Sequence, residues 1–99
     1  MTKLIWSPQS LRDLQSIRDY VAADSPRYAA LVGGVVERII QGVERLTSFS
    51  ESGRVVPERN DPQLRKIIVR PYRVVYRLRP GVVEIATVFR ASRMLPELT

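Results

Sequence analysis

An α+β fold is predicted for this 99-residue chain: a helix hairpin on one face of a small, mainly antiparallel sheet, in the order β-α-α-β-β-β. Three features predict it. Two Ser-Pro pairs are each followed by apolar residues at helical spacing. Three runs rich in Val, Ile and Tyr then follow one another, separated only by Pro71 and by Pro80-Gly81. Between the helical and the strand regions lies a polar, Gly- and Pro-containing stretch with the character of a loop. Helices followed by a strand meander pack as an α+β unit, and the length suits one domain over residues 1–99.

The elements follow in order. "KLIW" (3–6) reads as a short strand. Ser7 is placed as an N-cap and Pro8 as the first helical residue, where its missing N–H costs nothing. Leu11, Leu14, Ile17, Tyr20 and Val21 make the apolar stripe, with Arg12, Asp13, Arg18 and Asp19 off it. Ser25 and Pro26 open a second helix, expected to run to Leu46 with the stripe Val32, Val35, Val36, Ile39, Val43 and Leu46. Gly33, Gly34 and Gly42 are costly inside a helix; close packing on the first helix would explain them. "TSFSESGRVVPERNDPQ" is the loop, with Phe49, Val55 and Val56 expected to pin it to the core. "LRKIIVR" (64–70), "YRVVYRLR" (72–79) and "VVEIATVFR" (82–90) are the meander strands. Leu14, Ile17, Val36, Ile39, Tyr76 and Ile85 are the expected core.

Charge is concentrated at one end. Residues 1–50 carry six basic and five acidic side chains, and residues 51–99 carry ten and five, out of a net +6. Fourteen of the sixteen basic residues are Arg. The guanidinium fork matches carboxylate and phosphate, so the bias favours polyanion or carboxylate contact. Arg-rich codon usage would give the same bias. Strand alternation puts Tyr72, Val74, Tyr76 and Leu78 on the helix side, and Arg73, Val75, Arg77 and Arg79 on the open side. The same rule puts Val83, Ile85, Thr87 and Phe89 inward and Glu84, Ala86, Val88 and Arg90 on the open face. That face then carries converging cations, with Glu84 as a partner for one of them. Arg73 beside Glu84 is the purely structural alternative to a functional Arg73.

Absences exclude whole classes. The chain has no Cys and no His. Disulfides, thiolate chemistry, Cys/His zinc sites and Ser-His or Cys-His triads are therefore excluded. No cofactor and no metal are expected. "MTKLIWSPQS" has no apolar signal region, and "AALVGGVV" is too short to span a bilayer. A soluble cytoplasmic protein without a membrane partner is the expectation.

In order and spacing, "ERIIQGVERL", "FSESGRVVPERNDPQLRKIIV", "YRVVYRL" and "VVEIATVFRASR" resemble the RelE/ParE family of type II toxin–antitoxin toxins, over roughly residues 3–95. The resemblance implies a small basic toxin, neutralised by an acidic antitoxin that wraps the basic sheet face and the helix hairpin as a hetero-oligomer. Two activities occur in the family. RelE-like members cut mRNA in the ribosomal A site, and ParE-like members poison DNA gyrase.

Cleavage implies Lys or Glu on the first meander strand, an Arg after the Tyr of the second, and Arg, His or Tyr near the C-terminus. Here Arg73 matches the middle-strand Arg and Lys66 one strand lysine, while the second falls on Ile68. Arg90 takes a position often held by His, Ala91 that of an active Arg, and no Tyr follows Tyr76. If the chain were a nuclease, Arg73, Arg65, Lys66 and Arg90 would surround the phosphate. "ESGRVVPE" and "VFRASR" are closer to the ParE branch, which makes a gyrase inhibitor the favoured reading. A RelE-like endoribonuclease and a decayed toxin that only binds antitoxin are the alternatives. Arg65, Arg73, Arg77, Arg90 and Arg93 are the expected binding residues.

Overall fold

In the computed structural model, residues 2–23, 34–92 and 95 are described. The helix start at Ser25-Pro26, Val32, Gly33, Arg93 and the side chain of Val21 lie outside them. The order is β1 (Lys3–Trp6), α1 (Pro8–Ala23), α2 (Val35–Glu44), a 3-10 turn (Arg45–Thr47), β2 (Arg54–Val55), β3 (Leu64–Val69), β4 (Tyr72–Arg79) and β5 (Val82–Arg90). The sheet order is β1-β5-β4-β3-β2. The three meander strands pair antiparallel as expected. β1 adds to β5 in parallel, and the two-residue β2, which the sequence did not announce, closes the other side. Both described α-helices lie on one face, so the expected α+β class holds.

The first helix begins as its sequence requires. Ser7 Oγ accepts the N–H of Ser10 at 3.0 Å, and Ser10 Oγ donates to the Ser7 carbonyl at 2.7 Å. This leaves Pro8 at the position whose N–H has no helical partner. The second helix differs. Gly34 stands just before Val35 with φ +81°, a left-handed conformation that only glycine takes without strain. It is therefore a helix boundary rather than an interior residue. Gly42 is interior, but its neighbours are in the sheet. A Cβ there would come within 3.3 Å of Val69 and 3.5 Å of Ile67. It lets α2 lie close on β3, not on α1.

The main core joins Ile17 of α1 and Val35, Val36, Ile39, Val43 and Leu46 to Tyr72, Val74, Tyr76, Val83, Ile85 and Val88. Five of the six expected core residues are buried, and Leu14 packs against them partly buried. Leu11 and Tyr20 are the exceptions in the α1 stripe, at 54% and 49% exposed. α1 packs mainly on β5, near the sheet margin, so it buries a narrower strip than its apolar spacing suggests. Phe49 (65% exposed) and Val55 (41%) do not pin the loop; Val56, with no exposed surface, does.

Candidate functional site

The arrangement of the cations depends on one irregularity in β5. Tyr76 pairs with Ile85, but Val75 pairs with Thr87, so Ala86 is an extra residue without a partner in β4. Such a bulge reverses the alternation beyond it. Val88, opposite Val74, and Arg90, opposite Tyr72, therefore turn to the helix side. Phe89 turns to the other face, opposite Arg73. The expected placement of Val88, Arg90 and Phe89 is corrected accordingly.

The bulge is held by a residue that the sequence placed off the apolar stripe of α1. Asp13 accepts the Thr87 hydroxyl at 2.6 Å and the Val88 N–H at 3.0 Å. Its other oxygen accepts the Gln9 amide at 2.8 Å. β1 stops pairing at Trp6–Ile85, and Ser7 takes over the strand margin through the carbonyls of Ile85 and Ala86. Asp13 continues that role one step further. Beyond it, Asp13, Ser16, Ile17 and Tyr20 of α1 face Tyr72, Val88, Phe89 and Arg90 across a cleft of about 440 Å³. Arg90 thus belongs to the cleft rather than to the basic face.

Arg65 also leaves that face. It pairs with Tyr76, on the helix side. Its guanidinium donates to the carbonyls of Pro62 (3.2 Å), Glu51 (3.1 Å) and Gly53 (3.1 Å), which holds the loop entering β2. Tyr76 completes this anchor. Its hydroxyl donates to Ser50 O at 2.9 Å and accepts the Gly53 N–H at 3.0 Å. Burial raises the Tyr76 pKa above its ordinary value of about 10, opposed by the Gly53 hydrogen bond and the nearby Arg65 charge. A raised phenol pKa contributes stability that is complete below pH ~10 and is lost as pH rises through the folded value. Tyr76→Phe leaves both backbone partners unpaired and should cost about 1–3 kcal/mol at neutral pH. Its deficit relative to the parent should shrink above pH 10, because phenylalanine does not ionise. Urea melts of both proteins from pH 7 to 11 check this; a deficit independent of pH would count against it.

Register leaves Arg54, Lys66, Arg73, Arg77 and Arg79 together on the face away from the helices. The face is not open throughout. Val56, Leu64 and Val75 form a second small core, covered by Ala86, Phe89 and Leu95. Val75, expected to lie exposed between charges, has no exposed surface. The loop before β3 crosses the face at Val56 and brings Glu58 with it. Glu58 pairs with Arg73 at 3.1 Å, while Glu84 pairs with Arg79 at 3.5 Å. The expected structural partner of Arg73, Glu84, is thus replaced by a loop residue. The Arg73 guanidinium lies over the Phe89 ring, 5.5 Å from its centroid. Its side chain is only 15% exposed, and its Nε is buried with no hydrogen-bond partner.

No group of three or more His, Cys, Asp or Glu able to hold a metal ion occurs among the described residues. No described helix is long and apolar enough to cross a membrane. Of the proposed phosphate-holding set, the fold brings Arg73 and Lys66 to one face and sends Arg65 and Arg90 to the other.

Comparison with known proteins agrees with this architecture. Residues 4–95 match the family described as ParE toxin of type II toxin-antitoxin system, parDE. Toxin RelE2 of Caulobacter vibrioides is 30% identical over 95 residues, covering 95% of this chain and all of the relative. A solved structure described as a chromosomal ParDE TA system from P. aeruginosa is 25% identical, with TM-score 0.68 over 91% of this chain and 96% of that one. The YoeB dimer from Staphylococcus aureus shares the fold alone, at 14% identity and TM-score 0.60, covering 87% and 92% of the two chains. With the family match spanning nearly every element of the sheet and both helices, this chain belongs to the RelE/ParE family, as a toxin of a type II toxin–antitoxin system.

Proposed function

We propose that the protein is a ParE-like toxin that poisons DNA gyrase, acts in the cytoplasm and is neutralised by a cognate acidic antitoxin. The observation that carries this reading is the bulge at Ala86. It separates Arg90 from Arg73, while Arg65 is committed to three backbone carbonyls. Cleavage of RNA needs cations converging on one phosphate and a group that moves protons. The four-residue set is not assembled, and the chain has no His to serve as the usual base. Tyr76 is locked in the core by two hydrogen bonds. A toxin that acts by binding an enzyme requires none of these groups. The basic sheet face suits an acidic antitoxin segment through charge complementarity.

The test is induction in a bacterial host, with parallel assays for gyrase-dependent DNA breaks and for codon-positioned mRNA cuts. DNA breaks that disappear with a resistant gyrase are the expected result. Cuts between the second and third A-site nucleotides, abolished by Arg73→Ala, would overturn the proposal in favour of the endoribonuclease. Antitoxin binding with neither kind of break would favour a decayed toxin.

A further inference from the structure

Among the described residues, β1 is the outermost strand on its side of the sheet. Lys3 and Ser7 donate their N–H groups inward, to Gly81 O at 2.8 Å and Ile85 O at 2.9 Å. Alternation then turns the N–H and C=O of Leu4 and Trp6 outward, past the last strand. Natural sheets blunt such a margin with very short strands, proline or charge. The opposite margin follows that rule: β2 has two residues, one of them Arg54, and Pro57 comes just after it. β1 does not. It runs four residues, and Lys3 is its only charge. Ile5, on the face away from the helices, is 38% exposed. Leu4 and Trp6, on the other face, are only partly buried against the main core.

We infer that two copies of this chain pair their β1 strands antiparallel, about a two-fold axis at Ile5, in a dimer with one continuous sheet of ten strands, five from each copy. The charge near β1 selects this occupant. Residues 2–20 carry Lys3, Arg12 and Arg18 against Asp13 and Asp19, a balance of +1 out of +6. An acidic segment or a polyanion finds little to hold there, and a like-charged copy is not repelled. The strand is also self-complementary in one register. The outward-facing residues make the hydrogen-bonded pairs, Leu4 with Trp6 of the second copy and the reverse. Ile5 then meets Ile5 of the second copy in the closer, non-hydrogen-bonded pair, and Lys3 faces Ser7 rather than another cation. A two-fold axis through Leu4 would instead set Lys3 against Ile5. The axis stands perpendicular to the sheet, so the helices of both copies stay on one side. The two basic faces lie together on the other, offering Arg54, Lys66, Arg77 and Arg79 twice to a two-fold partner. The inference does not rest on gyrase being the target.

Sedimentation of the full chain without a partner tests the assembly. It should be a monomer at about 1 µM and a dimer at about 100 µM. Ile5→Lys sets two cations against each other at the axis and should weaken the dimer at least about tenfold. Val55→Lys adds the same charge at the opposite margin, where Val55 is 41% exposed, and should change it less than about twofold. The register has its own readout, because the chain has no Cys. Residues in a non-hydrogen-bonded pair have Cα atoms about 4.5 Å apart, within disulfide reach. With oxidised glutathione as the oxidant, Ile5→Cys should therefore form a covalent dimer, at least about tenfold faster than Val55→Cys. Circular dichroism shows which variants are folded, and the Cys pair decides the matter should Ile5→Lys not fold. A chain that stays monomeric at about 100 µM, a dimer indifferent to Ile5→Lys, or equal oxidation rates for the two Cys variants overturns the inference.

Discussion

An Ile39→Ala variant should lose about 2–5 kcal/mol of folding stability. Ile39 has no exposed surface and lies at the centre of the α2 stripe, among Val35, Val36 and Val43 and against the sheet. The loss combines the transfer free energy of the deleted groups with the cavity left behind. That cavity should collapse poorly. Gly42, one turn on, already lets α2 lie in van der Waals contact with Val69 and Ile67, so the helix has little room to settle further. Domains of this size are stable by only about 5–15 kcal/mol, so the variant should melt on the order of 10 °C lower. Urea denaturation followed by circular dichroism measures it. An unchanged midpoint would mean that α2 presents a different face to the sheet.

Asp13→Ala should cost a similar amount, about 2–5 kcal/mol, for a different reason. It strands the Val88 N–H and the buried Thr87 hydroxyl, each worth about 1–3 kcal/mol when left unpaired. The bulge would lose its tether to α1, and the walls of the cleft would separate. Asp13→Asn, which keeps one acceptor oxygen, should lose less. Asp19→Ala is the control, because that carboxylate meets the Gln15 amide in solvent. Equal melting curves for the Asp13 and Asp19 variants would show that the bulge holds itself and that Asp13 is incidental.

These two residues mark the limits of what the chain announces about itself. Ile39 was legible because its environment follows from spacing: apolar residues three and four apart must share a helix face. The same rule identified Val36, strand alternation identified Tyr76 and Ile85, and turn chemistry located Ser7-Pro8 and the break between β4 and β5. Asp13 was not legible. It sits among charged residues on a helix, and only the end of β1 at Trp6 creates the strand margin that its carboxylate satisfies. Leu11 and Tyr20 failed in the opposite sense, because apolar spacing says which face a helix can bury but not how much sheet lies beneath it.

The candidate site divides along the same line. The sequence by itself determined the α+β class, the charge gathered in the second half, the absence of His and Cys, and the placing of Arg73, Arg77 and Arg79 on one sheet face. Those properties follow from composition and from a period-two alternation that is local. The tertiary structure alone decided that Arg65 and Arg90 leave that face, that Val75 is buried and that Arg73 pairs with Glu58. A one-residue bulge at Ala86 reverses Val88, Phe89 and Arg90, and no local signal in "VVEIATVFR" marks where the extra residue falls. Glu58 reaches Arg73 across fifteen residues of chain because the loop folds over Val56. Contacts of that kind depend on the path of the whole chain, which alternation and spacing do not encode.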